Sequence, residues 1–368
     1  MAALTSEVSR SAERAHSQTP MTDMTALNSR TDASPGGGRG FSAMSERQGR
    51  VAKLLGRRLA QIPLVLLVVS ALTFWLIQVV PGDPGRDALG QYATATQVHA
   101  WDVTNGLTGS TLSRYLLWLG HFFTGKWGTS FVYSEPNRGL VLGHLLNSAL
   151  LGLVAFVVMV PIGIALGALQ AYREGRRSDR SITISLMTVS AVPPFVIGII
   201  LLLIFAVAIH WVQVSPGADA TGSILQRLHT IIIPAVVLVL YYLAVITRMV
   251  RTGIGGAITA QYHRTAVLKG LEPGEIVRRH VLRNAIVPTL PLLGLYLGTL
   301  LGGDAVVETL FNYPGLGALL VTAAEHKDVL LLNDGVVITG AVALLALLLA
   351  DIGLLASDPR IRFDNASS

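Results

Sequence analysis

Cysteine is absent from this chain of 368 residues. The protein therefore has no disulfide, no thiolate nucleophile and no cysteine-based metal site. Charge is also scarce, because Asp, Glu, Lys and Arg make up 14% of the residues, whereas a soluble domain carries about 25%. Hydrophobic residues make up 51% of the chain, and its mean hydropathy is +0.56. This combination indicates a membrane protein.

Motifs for catalysis and nucleotide binding are missing too. The chain contains neither G-x-S-x-G nor H-E-x-x-H, and its nine His residues show no metal-ligand spacing. Residues 120–127, GHFFTGKW, approach a phosphate-binding loop, but Trp127 stands where a Ser or Thr must hold magnesium. The chain is therefore predicted to be no enzyme and to hold no cofactor or metal of its own. Its net charge of +6 comes mostly from a few short loops and does not indicate nucleic acid binding.

Long apolar runs dominate the rest of the chain. A helix needs about 20 apolar residues to cross the hydrocarbon core of a bilayer. Six runs approach or exceed this length, at 59–80, 142–172, 182–212, 230–246, 285–301 and 336–355. Buried helices of a soluble protein are disfavoured, because the runs carry almost no charge and leave few polar faces. The sequence predicts an all-α polytopic membrane protein with six transmembrane helices.

The segments between and around these runs define the predicted organisation. Residues 1–50 are rich in Ser, Thr, Arg and Gly without apolar periodicity, which predicts a disordered tail. The first run lacks a signal-peptide cleavage site and is predicted to be a membrane anchor. The predicted segments are a first transmembrane helix at 54–80, an extracytoplasmic loop with an amphipathic helix at 81–141, a core of five transmembrane helices at 142–356 and a cytoplasmic tail at 357–368.

Lys and Arg residues set the predicted orientation. They cluster before the first run, between the second and third runs, between the fourth and fifth, and after the sixth. Short loops rich in these residues face the cytoplasm. Both termini are therefore predicted to be cytoplasmic.

Three polar or helix-breaking residues stand inside the runs. Asp351 is the one acid well within an apolar run, and either a structural ion pair near Arg360 and Arg362 or transport chemistry explains it. Pro193 and Pro194 remove two N–H donors from the third run. This break either lines a polar cavity or is a simple packing break.

Glycines repeat at helical spacing in two runs. Gly163 and Gly167 lie on one face of the second run, and Gly294, Gly298 and Gly302 lie on one face of the fifth. Small residues at this spacing let helix backbones approach closely. They predict either packing within the chain or a seam between two membrane subunits.

A charged segment of some thirty residues separates the fourth and fifth runs. It begins QYHRTAVLKG at 261–270, breaks at EPG and continues EIVRRHVLRNAIVP to 288. The pattern predicts a short helix across the cytoplasmic face of the membrane, which a soluble partner could grip. The alternative is a basic loop held by anionic lipid head groups.

At these residues the sequence resembles the membrane subunits of ABC importers that work with a substrate-binding protein, above all the oligopeptide and dipeptide permeases. The family signature R-T-A-x-x-K-G-L matches residues 264–271, and R-H-x-L-(R/K)-N-A-(I/L)-x-P matches 279–288. The segments VVPGDP, VVETLFNYPGLGALL and DPRIRF also agree, so that the resemblance extends from about residue 54 to 363. Gly256 and Gln261 stand where the family commonly has acids, and Leu347 where it usually has Asn.

The resemblance implies a type I ABC importer permease fold and a coupling helix at about 259–270, the family's EAA motif, which docks into an ATPase subunit. The implied coupling residues are Tyr262, Arg264, Thr265, Ala266, Lys269 and Gly270. Pro193, Pro194 and Asp351, which stand inside the apolar runs, are the candidate residues of the translocation pathway.

The resemblance also implies the function and the partners. It implies a bacterial inner-membrane subunit that carries di- and oligopeptides into the cytoplasm. The implied partners are a second homologous permease, two ATPase subunits or domains, an extracytoplasmic substrate-binding protein and membrane lipid, with ATP and magnesium bound to the ATPases.

Alternatives stay open at this point. Nickel chelates, glutathione and haem are the other substrates of this importer class. A secondary transporter would show inverted repeats and buried ionisable coupling residues, of which Asp351 is the one candidate.

Overall fold

The computed structural model describes residues 39–90, 92–209, 224–276 and 281–357. In these residues the backbone is helical apart from loops and an isolated antiparallel bridge between Thr129 and Pro136. The helices, numbered along the chain, are α1 Arg39–Val79, α2 Pro84–Leu89, α3 Ala95–Thr104, α4 Thr111–Phe123, α5 Asn137–Tyr172, α6 Arg177–Ala191, α7 Pro194–Leu202, α8 Ile224–Thr259, α9 Gln261–Leu268, α10 Pro273–Ile276, α11 Leu282–Ile286, α12 Leu290–Gly302, α13 Ala305–Leu310, α14 Leu316–Glu325 and α15 Val329–Ser357. A π-helical turn, Leu203–Ala208, continues α7, and a 3₁₀ turn, Val287–Thr289, joins α11 to α12.

The predicted six-span architecture is confirmed, with the third span broken. Five helical stretches are long and apolar enough to cross a membrane, namely Gly56–Val79, Asn137–Tyr172, Thr230–Thr259, Val287–Leu310 and Val329–Ser357. The fourth of these includes the 3₁₀ turn, α12 and α13, with a non-helical step at Gly303 and Asp304. The sixth is the pair Arg177–Ala191 and Pro194–Ala208, whose axes meet at 94°. Its predicted end at 212 lies outside the described residues.

The ends of the chain differ from the sequence expectation where they are described. The helix α1 begins at Arg39, so it includes the last part of the segment 1–50 that was predicted to be disordered. The remainder of that segment, and the tail from 358 onward, lie outside the described residues.

Proline placement explains how the fifth span forms. Pro288 and Pro291 each stand in the first two positions of a helical turn, the 3₁₀ turn and α12 respectively. At these positions a missing N–H breaks no intrahelical hydrogen bond. The span therefore passes through both prolines without losing its direction.

The glycine repeats serve packing inside this chain. A side chain on Gly167 would collide with the Thr247 carbonyl and with Val250 on α8, and one on Gly298 would collide with the backbone of Ala343 on α15. Small residues allow this close approach of helix backbones, which replaces the missing hydrophobic driving force in lipid. Of the two sequence interpretations, packing within the chain is the one the structure supports.

Two apolar clusters lie at different heights of the bundle. One joins α5, α8 and α12 along their length and continues into the segment after α8, where Ala266 and Ile276 belong to it. The other joins the end of α1, α4, the start of α5, α14 and the start of α15, and it includes Trp118. The bundle thus has an α9 end and an α4 end, each tied to the spans by its own cluster.

Candidate functional site

The helix α9 follows directly after the long helix α8. Its N-terminal neighbour Ala260 has an extended backbone conformation and provides no side-chain cap. Within the helix, the Thr265 hydroxyl donates to the Gln261 carbonyl at 3.0 Å. The chain therefore turns sharply out of α8 and runs two helical turns in a new direction.

A turn at Gly270 ends α9. The N–H of Leu271 donates to the Ala266 carbonyl at 3.3 Å, and the N–H of Gly270 donates to the Val267 carbonyl at 2.9 Å. This pair of bonds defines a Schellman motif, which needs a left-handed residue, and Gly270 has φ +72°. A Cβ at Gly270 would meet nothing within 4 Å, so the glycine is required by the backbone conformation and not by crowding.

Five of the six residues predicted to contact an ATPase are exposed. They are Tyr262, Arg264, Thr265, Lys269 and Gly270. Ala266 differs, because it is 5% exposed and belongs to the apolar cluster of the chain itself. Its role is therefore to seat α9 on the chain, where Leu271 and Ile276 pack in the same cluster.

Two exposed apolar residues of α9 were not predicted from the sequence. Val267 is 53% exposed and Leu268 is 87% exposed. The only signal for them is an apolar pair within an otherwise charged loop. Together with Tyr262 they give the surface of α9 an apolar character.

The segment under α9 is closely packed. A Cβ on Gly253 of α8 would lie 2.5 Å from the carbonyl oxygen of Ala285 on α11, so the two helix backbones are in contact there. Val281 and Ala285 are buried in the same cluster as Ala266. The described parts of α8, α9, α10 and α11 therefore form one packed unit.

An ion pair joins this unit to α6. Arg251 Nη2 lies 2.9 Å from Asp179 Oδ2 and 3.9 Å from Glu174 Oε1. Asp179 is buried and also accepts the N–H of Gly175 at 3.1 Å. Gln170 Nε2 donates to Thr183 Oγ1 at 2.7 Å across the same turn. The loop between α5 and α6 is thereby fixed to α8 two helical turns before α9.

The pair Pro193 and Pro194 stands at the break in the third span. Pro194 begins α7 and Pro193 precedes it as N-cap, accepting the N–H of Val196 at 3.0 Å. Beyond the break, Gly198 faces Leu310 and Phe311. The prolines thus separate two half-spans. The first is α6, which contains Asp179 in its first turn, and the second is α7, which packs on α13.

Asp351 is paired with the first span. Its Oδ2 lies 3.2 Å from Nε of Arg58, which joins α15 to α1. The partners considered from the sequence, Arg360 and Arg362, lie outside the described residues. Asp351 and the Pro193–Pro194 pair stand on different spans.

Buried carboxylates near the α4 end of the bundle were missed by the sequence analysis. Glu308 is 1% exposed, accepts the Ser148 hydroxyl at 2.6 Å and accepts the N–H of Ala318 at 3.1 Å. Ser148 Oγ in turn accepts the N–H of Leu316 at 2.7 Å. The segment FNYPGLG is therefore locked onto α5. No sequence pattern indicates this contact, because Ser148 lies 160 residues from Glu308 along the chain.

Asp334 and Asp328 are two further buried acids of the described residues. Asp334 accepts Trp118 Nε1–H at 2.9 Å and Asn137 Nδ2–H at 3.0 Å. Asp328, just outside the last span, accepts the Ser130 hydroxyl at 2.6 Å. Burial raises the pKa of Asp328 above its ordinary value, and the hydrogen bonds from Ser130 and Leu331 partly oppose that rise. These contacts connect α4 and α5 to the start of α15.

The described residues form a bundle of apolar spans with a short, exposed helix at one end, which is the architecture of a multi-pass membrane protein. The chain belongs to the family of binding-protein-dependent transport system inner membrane components, whose model matches residues 159–363. The model for the N-terminal part of such components matches residues 51–139.

The similarity to individual relatives extends over nearly the whole length of each relative. The oligopeptide transport system permease protein AppB of Bacillus subtilis (strain 168) is 32% identical over 316 residues, which are 85% of this chain and 99% of AppB. The di/tripeptide transport system permease protein DppB of Pseudomonas aeruginosa (strain UCBPP-PA14) is 32% identical over 330 residues, with 84% of this chain and 98% of DppB covered.

A solved structure supports the fold. A chain of the MetNI methionine ABC transporter superposes with a TM-score of 0.50 at 18% identity, covering 61% of this chain and 99% of that chain. At this identity the likeness concerns the fold alone, which is the type I importer permease fold.

Proposed function

We propose that this chain is one membrane-spanning subunit of an ATP-driven importer that moves di- or oligopeptides into the cytoplasm. Family membership supports the binding-protein-dependent transport system. The names of the relatives AppB and DppB, described as oligopeptide and di/tripeptide permeases, favour peptides over nickel chelates, glutathione or haem.

The remaining parts of the importer would be other chains. A second homologous permease completes the path across the membrane, and an extracytoplasmic binding protein delivers the peptide. Two ATPase subunits or domains bind ATP and magnesium. The family description supports the binding protein, and the exposed surface of α9 supports the ATPase contact.

The α9 end of the bundle is the cytoplasmic end in this proposal. Arg251 and Arg264 lie in or beside the segment of α9, and the basic turn between α5 and α6 is fixed to the same end through Asp179. Basic residues in short loops favour the cytoplasmic side. Both termini are then cytoplasmic, as the sequence predicts.

Leu268 is the observation that carries the coupling role. It is a large apolar side chain, 87% exposed, at the end of a helix whose opposite side is fixed by buried Ala266. Contiguous exposed apolar residues mark an interaction site, and Tyr262 and Val267 are exposed on the same helix. In the proposal α9 inserts this surface, with Tyr262 and Lys269 beside it, into the ATPase subunit.

Closure of the ATPases then moves α9, and the packed unit beneath it moves as well. Arg251 transmits the displacement to Asp179 and so to the half-span before Pro193. ATP binding acts by stabilising one of two bundle conformations over the other. The peptide path opens to one side at a time.

The test uses the complete importer in proteoliposomes. Leu268→Glu and Gly270→Glu each place a charge at the proposed contact, and Gln261→Ala serves as an exposed control on the same helix. We expect both Glu variants to abolish stimulation of ATP hydrolysis by the loaded binding protein, with normal protein levels. Peptide uptake at the unsubstituted rate by both variants would reject the coupling role. Uptake of nickel chelate, glutathione or haem, without peptide uptake, would reject the substrate class.

A further inference from the structure

The helix α4 packs beside the first span, along a considerable length of it. Tyr115 Oη lies 3.0 Å from Ser70 Oγ and 3.3 Å from the Leu67 carbonyl, and Arg114 Nη1 donates to Gln78 Oε1 at 3.1 Å. Positions 67 and 78 are separated by roughly 16 Å along a helix that rises 1.5 Å per residue. The contact therefore reaches well down the side of α1.

The ends of α1 and α15 set the height of this contact. Lys327, just before α15, donates its Nζ hydrogen to the Val80 carbonyl, just after α1. Ser70 lies roughly 14 Å below the end of α1, at 1.5 Å per residue, within an apolar run that continues to residue 80. Trp118 of α4 reaches Asp334 inside α15. The contacts with α1 and α15 therefore place α4 beside the apolar ends of these two spans, within their hydrophobic length.

The outward face of α4 is apolar. Leu112, Leu116, Leu117 and Phe123 are exposed by 57% to 81%. Arg114 is the one Asp, Glu, Lys or Arg of the helix and is turned toward α1, where its guanidinium lies over the Phe74 ring at 5.8 Å; His121, in the last turn, is exposed. The exposed positions of α4 carry no Asp, Glu, Lys or Arg.

Several backbone groups at both ends of α4 have partners within the chain. Ser110 Oγ accepts the N–H of Ser113 at 3.2 Å at the start of the helix. At its end, the carbonyl of Gly120 accepts the Thr124 hydroxyl, that of His121 accepts the Lys126 N–H and that of Phe122 accepts Trp127 Nε1–H, at 2.9 to 3.1 Å. Segments in contact with lipid need this pairing, because no water replaces a missing partner there.

We propose that α4 is a membrane-embedded helix whose outward face contacts lipid acyl chains. Its apolar surface continues that of α1, where Leu72, Trp75 and Leu76 are exposed at the same height. A helix with a large apolar face can bury that face at the boundary between the lipid head groups and the acyl chains. Tyr115 and Trp118 hold α4 at this depth from the protein side. The lipid is that of the extracytoplasmic leaflet if the orientation in the proposed function holds, but the lipid contact itself does not depend on it.

The absence of cysteine from the chain gives a direct test. Single cysteines at Leu116 and Phe123 are spin-labelled in the assembled importer in phosphatidylethanolamine–phosphatidylglycerol nanodiscs, and the unsubstituted importer gives the background from the other subunits. Leu72→Cys on α1 is the lipid control, and Glu325→Cys at the exposed end of α14 is the water control. Collision rates with oxygen report lipid, and those with a soluble nickel chelate report water.

We expect the labels at 116 and 123 to match the label at 72, with high oxygen and several-fold lower nickel accessibility than the label at 325. Nickel accessibility equal to that at 325 would reject the proposal, because the face would then lie in water. Low accessibility to both reagents would reject it as well, because a protein subunit would cover the face. Leu112→Cys repeats the measurement if either labelled variant fails to assemble.

Discussion

Arg251 and Asp179 form a buried link between two helices that the chain separates by 72 residues. Their side-chain atoms Nη2 and Oδ2 lie 2.9 Å apart, and the exposed fraction of the Asp179 side chain is 7%. Arg251 precedes α9 on α8, whereas Asp179 lies in the first turn of α6. If α9 moves, α6 must move with it, or an ion pair that is largely shielded from water must break.

The first prediction concerns this link. Asp179→Asn removes the charge but keeps the side-chain shape, and removal of one partner from a largely buried pair costs about 1–3 kcal/mol when the other partner is partly solvated. We expect fewer peptides transported per ATP hydrolysed, with basal ATP hydrolysis retained. Arg251→Lys, which keeps the charge, is expected to retain part of the coupling. Unchanged transport per ATP in Asp179→Asn would mean that the ion pair is only structural.

The second prediction concerns the lock at Glu308. Glu308→Ala leaves the Ser148 hydroxyl and the Ala318 N–H without their acceptor, and each unsatisfied buried group costs about 1–3 kcal/mol. We expect a clear fall in the unfolding temperature of the detergent-solubilised complex. Ser148→Ala removes the shared bond and also leaves the Leu316 N–H without its acceptor, so we expect a comparable fall. The double variant should be less damaging than the sum of the two, since the residues share an interaction; additive effects would contradict the lock.

The spans were predictable because their signal is local. Hydrophobic length alone indicates a transmembrane helix, and the Pro193–Pro194 pair marks the position at which the third span is broken. The buried acids were not predictable in the same way. Asp334 accepts a hydrogen bond from Trp118, which lies 216 residues away along the chain. In the sequence, Asp334 resembles the polar boundary of an apolar run.

Ala266 illustrates a different limit of sequence reasoning. Helical spacing predicts that residues four positions apart share a face, which groups Ala266 with Gly270. However, α9 ends at Leu268, and Gly270 has φ +72°, so the helical phase does not extend to it. Only the backbone conformation reveals that Ala266 points into the chain while Gly270 is exposed.

The third prediction compares two glycines of α5. A side chain on Gly152 would collide with the backbone of Leu300, whereas one on Gly143 would meet nothing within 4 Å. Gly152→Ala forces α5 and α12 apart and is expected to cost about 1–3 kcal/mol. Gly143→Ala is the matched control and is expected to be neutral or stabilising by up to about 1 kcal/mol, because Ala favours the helix. Thermal unfolding of the purified complex measures both; equal effects would contradict the close contact of α5 and α12.

The fourth prediction distinguishes the buried residue that holds α9 on the chain from the exposed residue proposed to contact the ATPase. Ala266→Glu places a carboxylate in the apolar cluster beside Leu271 and Ile276, and an unpaired buried charge is far more costly than an exposed one. We expect it to lower the unfolding temperature of the complex as well as to abolish transport. Leu268→Glu, on the exposed side, should abolish the stimulation of ATP hydrolysis while leaving the unfolding temperature unchanged, because no contact within the chain is lost.

Gly270→Ala lies between these two cases. It adds no bulk against a neighbour, but the left-handed conformation at φ +72° costs a residue with a Cβ about 1–2 kcal/mol. We expect a small fall in the unfolding temperature and partial transport. If Ala266→Glu instead retained the unfolding temperature of the unsubstituted complex while losing only the stimulation, Ala266 would have to face the partner, and the seating of α9 described above would be wrong.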